Sequence, residues 1–189
     1  MWVWPIGRQG GLTPVISDNW HQRGDVFHAG VDLGYKRPEN IPVMSPWSTR
    51  GYYTPPGTQA FSIGDGVVTI SKDIGTGGYV QVDHGNGMLS QYMHLSSRNV
   101  AVGQSVSAGQ TVGIVGFNPN DPEFAHLHFE LLVDGQKVDP EPYLNSWTMI
   151  AQGSLHTAPS VFTSMAVAGV FAFGLLYLFD NYRARVGLI

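Results

Sequence analysis

The strongest constraint on the fold is the alternation of short β-rich segments with glycine-containing turns. The segments "GVVTIS" (66–71), "GYVQVDH" (78–84) and "LSQYMHL" (89–95) are typical of strands. "HGNG", between the last two, and Asp134-Gly135 are hairpin turn signals. The chain contains 24 glycines and 12 prolines, and no helix-period segment precedes residue 145. We therefore predict an all-β fold, a compact antiparallel β-sheet.

Composition divides the 189 residues into segments of different character. One ordinary domain and an appendage fit this length. The stretch 36–62 is dense in Pro, Ser, Gly and aromatic residues, which predicts a long loop at a functional surface. The predicted organisation is an N-terminal arm (1–24), the β domain (25–145), a polar connector (146–160), an apolar segment (161–179) and a short tail (180–189).

The apolar segment, "VFTSMAVAGVFAFGLLYLF", carries no charge over its 19 residues. As a helix it would span roughly 28 Å, close to the ~30 Å hydrocarbon core of a bilayer. Arg183 and Arg185 follow it, as is typical of a cytoplasmic flank. We predict one C-terminal transmembrane helix that contacts the lipid bilayer; the alternative is a packing helix of a soluble protein.

Charge and cysteine content exclude several classes of function. The formal net charge of -4 argues against a nucleic-acid partner. The chain has no cysteine, so any metal ligands must be histidines and carboxylates. The N-terminus "MWVWPIGRQGG" lacks the basic and long apolar regions of a secretory signal.

Two histidine patterns point to a metal site. His126 and His128 lie one residue apart in "FAHLHFEL", so on a strand both imidazoles share a face. In "HAGVD", His28 and Asp32 are four residues apart. A hydrolytic zinc site takes three nitrogen or oxygen ligands and leaves one position open. His28, Asp32 and His128 supply such a set.

Of the remaining histidines, two are candidates for catalysis and the other three have no predicted part in the metal site. His126 and His94, the latter in "SQYMHLS", are candidates to move protons and stabilise the reaction intermediate. His84, at the start of the "HGNG" turn, is interpreted as structural, and His21 and His156 as solvated. Glu130 either orients a ligand histidine or simply lines its strand; the second alternative is favoured.

Four motifs, in order, resemble the lysostaphin-type (LytM-like) zinc metallopeptidases that cut peptidoglycan peptides. They are "FHAGVDLG", "VDHGNGMLSQYMHLS", "VAVGQSVSAGQTVGIVG" and "HLHFEL" followed by "DGQKVDPEPYL". The resemblance implies a small β-sheet domain with a groove over the metal. It also implies that His28, Asp32 and His128 hold one Zn²⁺ ion, and that His94 and His126 act in catalysis.

Two stretches depart from the pattern of that family. The segment after Gly34, within 36–62, is roughly twice the family's usual length. "FNPNDPEFA", before the His-x-His pair, replaces a glycine-rich loop. Because both stretches are expected along the groove, they leave open which bond would be cleaved.

We therefore expect a membrane-tethered zinc endopeptidase that hydrolyses stem or cross-bridge peptides of peptidoglycan. The alternative is a catalytically inactive LytM-like module that binds peptidoglycan or a partner. A terminal apolar segment without an N-terminal signal further suggests a lytic component of a membrane-containing phage virion, with the bacterial envelope as the other location. The sequence does not choose an oligomeric state.

Overall fold

The computed structural model describes residues 1–40, 51–116 and 125–153. These residues belong to one unit, Met1–His156, and the predicted all-β class is confirmed. The elements are β1 Pro14–Asp18, β2 His21–Arg23, β3 Val26–His28, β4 Val31–Lys36, β5 Tyr52–Tyr53, β6 Gln59–Phe61, β7 Gly66–Ile74, β8 Gly77–Asp83, β9 Met88–Arg98, β10 Ser105–Val106, β11 Thr111–Val115, β12 Leu127–Val133, β13 Gln136–Val138 and a single-turn helix, α1 Glu141–Leu144.

Eleven of the described strands form one antiparallel sheet whose central path runs β1-β4-β12-β9-β8-β7-β10. Strand β11 pairs with β6 and β9, β13 pairs with β12, and β5 pairs with β4. Strands β2 and β3 form a separate two-stranded hairpin. The order places β4 and β9 on either side of β12, so residues distant in sequence become neighbours across the sheet.

Both hairpin turns expected from the sequence are present. Between β8 and β9, Asn86 and Gly87 have φ of 51° and 77°; between β12 and β13, Asp134 and Gly135 have φ of 50° and 78°. Two successive positive φ values are what the two-residue turn at Asp134-Gly135 requires, and Asp-Gly tolerates them well. The turn that follows His84 is longer and has a third positive φ, 75° at Gly85. The two turns also touch, since the Asp134 N–H donates to Gly87 O at 2.9 Å.

The core lies on one face of the sheet. Leu127, Phe129 and Leu131 alternate along β12 and are fully buried, as the period of a half-buried strand requires. Residues of the predicted N-terminal arm join them: Trp4 and Ile6 belong to the same core. Strand β1 follows and pairs with β4, so residues 14–18 of the predicted arm are built into the sheet.

The expectation of one continuous loop over 36–62 is wrong for part of that stretch. Lys36 ends β4, and strands β5 and β6 lie within the range. Tyr52 and Tyr53 extend the sheet by pairing with β4, and Phe61 enters the core at 1% exposure. Two aromatic residues at a sheet edge and a buried phenylalanine favour strand pairing over an irregular loop.

Three predicted features lie outside the described residues: the middle of the long loop (41–50), most of "FNPNDPEFA" (117–124) and the apolar segment (161–179). Within the part of the chain that the structure describes, no helix combines the length and hydropathy that crossing a bilayer needs. The predicted transmembrane helix and domain boundaries therefore stay predictions.

The buried hydroxyl of Tyr92 gives a test of this core. Tyr92 is fully buried, its Oη accepts a hydrogen bond of 2.9 Å from the Ile63 N–H, and burial raises its pKa to about 12. Tyr92→Phe would leave that N–H without its partner and should lower the free energy of unfolding by about 1–3 kcal/mol. Chemical denaturation measures the loss.

Tyr143→Phe is the matched control, because the Tyr143 hydroxyl makes no hydrogen bond to any described residue. Its unfolding free energy should stay within about 0.5 kcal/mol of wild type. Equal losses in the two variants would contradict the assigned role of the Tyr92 hydroxyl.

Candidate metal centre

The pairing of β4 with β12 brings the first two candidate ligands together. Asp32 and His128 are direct partners in the register of these strands, and directly paired residues project to the same face. Asp32 Oδ1 lies 2.8 Å from His128 Nδ1. Because Leu127 and Phe129 fill the core on the opposite face, His128 has no alternative but the outer face.

His28 joins this pair from the end of β3. Its Nε2 lies 3.1 Å from Asp32 Oδ1 and 3.0 Å from His128 Nδ1. The three side chains form a group in which one ligand-type atom of each lies within 4.8 Å of the others. His28 and Asp32 are almost completely buried. The structure thus brings together the three residues that the sequence nominated.

The hydrogen bonds on the far side of the two histidine rings show which ring nitrogens carry protons and which can bind a metal. His28 Nδ1 lies 2.7 Å from the backbone carbonyl oxygen of Asn19, which can only accept, so this nitrogen carries a proton. His128 Nε2 lies 3.2 Å from Glu130 Oε1, a carboxylate oxygen, and donates to it. In neutral imidazoles, His28 Nε2 and His128 Nδ1 then present lone pairs to the Asp32 oxygen.

Three converging lone pairs fit a divalent cation. Without positive charge between them they would repel one another, whereas zinc bound by nitrogen and oxygen has bonds of about 2.0–2.1 Å, which places tetrahedral ligands about 3.3 Å apart. The observed separations of 2.8, 3.0 and 3.1 Å are close to that spacing. Histidine nitrogens and one carboxylate oxygen are also a donor set that suits zinc.

The protein part of the site is strongly polarised. Burial alone would raise the pKa of Asp32, but the hydrogen bonds to His128 and His28 outweigh it and hold that pKa far below its usual range. Burial lowers the pKa of His128, yet hydrogen bonds to Asp32 and Glu130 prevail and raise it to about 9. Asp32 is therefore held in its negatively charged form, and its charge favours a positive charge beside it, either a cation or a protonated histidine.

His126 lies beside the three ligand candidates. It precedes β12, is 2% exposed, and its Nε2 is 3.8 Å from Asp32 Oδ1. The expectation that His126 and His128 share a face agrees with the alternation of the strand. His126 is further from Asp32 than His28 or His128, which leaves it adjacent to the group of three.

A β-bulge brings His94 to the same place. Tyr92 and Leu95, three residues apart on β9, are both in the core, and β9 gains a residue relative to β8 between them. His94 has a φ of 62°, a left-handed conformation that is uncommon outside glycine and that occurs at functional sites. Its ring stands 4.9 Å from that of His126 and 5.6 Å from that of His128, between centroids.

The orientation of the His94 ring is set from outside the site. His94 Nδ1 donates to the carbonyl oxygen of Thr76, at 3.0 Å, in the turn between β7 and β8. Its other nitrogen, Nε2, is therefore the one able to accept a proton. Burial, aided by the neighbouring His126, lowers the pKa of His94 to about 4, so the ring is neutral at pH 7.

Three further residues support the group and were not found from the sequence. Arg23 Nη2 donates to Asp32 Oδ2 at 2.9 Å, the Asn19 carbonyl orients His28, and Gly30 lies against His128. Glu130 contacts His128, which corrects the favoured interpretation that it only lines its strand. The His-x-His-x-Glu spacing, with all three residues on one face, was the available signal; Arg23 and Asn19 offered none.

His84 and His21 are arranged as interpreted. His84 Nδ1 donates to Asp65 O at 2.9 Å, and its Nε2 lies 2.7 Å from Ser90 Oγ, so it connects the residue before β7 with β9. His21 is exposed, and its Nδ1 points to Asn19 O. His21, Asp18 and His28 form a second group with metal-ligand spacing. In this group Asp18 is paired with Arg23, and the Nδ1 atoms of His21 and His28 both face the Asn19 carbonyl oxygen. His156 lies outside the described residues.

Gly30 gives a direct test of the geometry. A Cβ at this position would stand 2.6 Å from Phe129 O and 2.9 Å from His128 Nε2, closer than non-bonded atoms approach. Gly30→Ala should therefore displace His128 and weaken zinc binding by about 10–100-fold, as loss of ligand orientation typically does. Competition with a chromogenic chelator measures the dissociation constant.

Gly75→Ala is the control, since nothing lies within 4 Å of a Cβ there and its φ is ordinary. It should bind zinc as wild type does. If Gly30→Ala also binds zinc with unchanged affinity, His128 is not held where the metal contacts require it.

The chain is similar to known peptidoglycan hydrolases, to an activator of murein hydrolases and to a solved peptidase domain. Peptidoglycan DD-endopeptidase ShyA of Vibrio cholerae is 38% identical over 97 residues, covering 51% of this chain and 22% of that protein. Murein hydrolase activator EnvC of Escherichia coli is 32% identical over 141 residues, covering 74% and 32%. The crystallised catalytic domain of lysostaphin from Staphylococcus simulans is 26% identical, covers 71% and 93%, and superimposes with a TM-score of 0.52.

The chain thus spans between a fifth and a third of the length of these two curated relatives. The sequence profile of peptidase family M23 matches residues 45–140, just over half of the chain. That match contains His94, His126 and His128, whereas His28 and Asp32 precede it. The chain belongs to peptidase family M23, the lysostaphin-type (LytM-like) peptidases that its motifs resemble.

Proposed function

We propose that this protein is a zinc-dependent endopeptidase that hydrolyses peptide bonds in the stems or cross-bridges of peptidoglycan. One observation carries the proposal. Nε2 of His28, Oδ1 of Asp32 and Nδ1 of His128 converge within about 3 Å of one another, with two further buried histidines alongside. The names of ShyA and EnvC, which refer to peptidoglycan and murein, support the choice of substrate.

The three converging residues would hold one Zn²⁺ ion. Bound there, zinc would polarise a substrate carbonyl and lower the pKa of water towards neutrality. The single carboxylate keeps the net charge of ion and ligands positive, which that chemistry needs. The backbone carbonyl of Asn19 and the carboxylate of Glu130 hold the two ligand rings in the required tautomers.

His94 and His126 would move protons. Both rings are buried, stand side by side and border the three ligands. With Nδ1 of His94 held by Thr76 O, its Nε2 is free to take a proton from the attacking water and to return it to the leaving amine. His126, whose Nε2 lies 3.8 Å from Asp32 Oδ1, is placed to donate a hydrogen bond to the developing oxyanion.

Metal removal tests the proposal directly. Dialysis against a chelator should abolish the clearing of cell walls in a zymogram, and stoichiometric zinc should restore it. The reason is that the ligand side chains bind the metal but do not themselves attack the substrate carbonyl. His128→Ala should clear no wall at any zinc concentration. Persistent clearing by folded, chelator-treated protein would refute a metal-dependent reaction.

Substitution of the two flanking histidines separates catalysis from metal binding. His126→Ala and His94→Asn, the latter chosen because asparagine tolerates positive φ, should lower kcat/KM by about 10²–10⁴-fold. Both variants should retain one zinc per chain by atomic absorption. His84→Gln is the control, because His84 follows the C-terminal end of β8, whereas Thr76, which holds His94, precedes that strand. It should keep near wild-type activity. Wild-type rates in the His126 and His94 variants would argue against the catalytic roles of these two residues.

The second candidate function is a module without catalytic activity that binds peptidoglycan or activates a partner hydrolase. It is favoured by the alignment with the activator EnvC, which covers 74% of this chain. The presence of all three ligand candidates and both flanking histidines favours the enzyme. The zymogram distinguishes the two: a binding module would cosediment with cell walls but never clear them.

We also propose that residues 161–179 anchor the domain to a bilayer. The support is the uncharged composition of that segment and the arginines after it. An anchored chain stays with membranes in alkaline carbonate, and release into the supernatant would refute the anchor. Placement in the bacterial envelope or in a membrane-containing phage virion stays a prediction, which mass spectrometry of purified virions would check.

A further inference from the structure

The two oxygens of Asp32 have different partners. Oδ1 faces His28 and His128, whereas Oδ2 accepts a hydrogen bond of 2.9 Å from Arg23 Nη2. Asp32 is only 5% exposed and the Arg23 side chain 37%, so this charge-assisted bond is shielded from water on the carboxylate side. The carboxylate can rotate only if it gives up one set of these contacts.

Arg23 is itself held in place by a second carboxylate. The same nitrogen, Nη2, donates to Asp18 Oδ2. Asp18 and Asp32 are direct partners in the pairing of β1 with β4, so their side chains share a face. Two carboxylates placed opposite each other repel, and the guanidinium between them compensates that repulsion.

We propose that Arg23 is a positioning residue of the metal centre: by occupying Oδ2, it restricts Asp32 to ligation through Oδ1 alone. A carboxylate free to bind through both oxygens would take an additional coordination position. Restriction to one oxygen keeps that position available for water and substrate, as hydrolytic sites require. This inference rests on the proposed function, because it assumes that the three residues hold zinc.

Arg23 and Asn19, which support two of the ligand candidates, come from the same short segment of the chain. Arg23 ends β2 in the separate hairpin, and Asn19, whose carbonyl orients His28, lies two residues before that hairpin. Both lie before residue 45, where the family profile match begins. Thus residues of the segment 18–28 orient two of the three ligand candidates, His28 and Asp32. The third, His128, is oriented by Glu130, which in turn is paired with Lys137.

Replacement of Arg23 alone would have two opposing effects. The orientation of Asp32 would be lost, but the Asp18 carboxylate, without the guanidinium beside it, would attract the cation more strongly. The double variant Asp18→Ala with Arg23→Met removes one charge of each sign, so the local net charge is unchanged. The pair Asp73→Ala with Arg98→Met is the matched control, because it removes an ion pair of 2.9 Å on β7 and β9 that touches none of the ligands.

Zinc dissociation constants and the visible spectrum of the cobalt-substituted proteins test the proposal. The Asp18/Arg23 double variant should bind zinc about 10–100-fold more weakly than wild type. Its Co²⁺ spectrum should lose intensity, which reports a change from four to more ligands. The Asp73/Arg98 control should match wild type in both measurements.

Arg23→Lys should rescue the effect, because one nitrogen makes both contacts and an ammonium group can donate twice. Equal affinity and equal spectra for wild type and a folded double variant would overturn the inference, as would a Lys variant as weak as the double variant. If circular dichroism shows the double variant unfolded, the cobalt spectrum of Arg23→Met alone decides. Wild-type protein that binds no zinc would instead overturn the proposed function and this inference together.

Discussion

The structure depends on one register, the pairing of Asp32 on β4 with His128 on β12. These residues are 96 positions apart in sequence, and a one-residue shift of either strand would send its side chain into the core. The register is secured on the core face, where Leu33, Leu127 and Phe129 are fully buried. Hydrophobic alternation on the inside therefore fixes the polar geometry on the outside.

The remaining parts of the site are local departures from regular structure on that frame. His94 reaches the outer face only because β9 carries a bulge between Tyr92 and Leu95. The left-handed backbone at His94 costs energy that the surrounding strands and the Thr76 contact offset. Gly30 allows the chain to pass under His128 at a distance that no side chain would permit. His94 and Gly30 thus enter the site through local irregularities, whereas Asp32 and His128 enter it through regular strand pairing.

Each ligand candidate is held by a partner behind it: His28 by Asn19 O, Asp32 by Arg23 and His128 by Glu130. Such partners fix tautomers and rotamers before a cation arrives, which lowers the cost of ordering the site on binding. Two of them come from the segment before and within the β2–β3 hairpin. The N-terminal residues are therefore part of the site as well as of the core, to which Trp4 and Ile6 contribute.

The sequence alone determined the all-β class, both hairpin turns and the five histidine and aspartate candidates, because strand period, Asn-Gly and Asp-Gly turns and metal-ligand spacing are local properties of the chain. It also placed His126, His128 and Glu130 on one face, although the contact of Glu130 with His128 was not the favoured interpretation. Only the tertiary structure decided that β5 and β6 interrupt the 36–62 loop, that a bulge turns His94 outward, and that Arg23 pairs with Asp32. These features arise from pairing between segments distant in sequence, and no local pattern encodes which strand edge or charged partner a segment will meet.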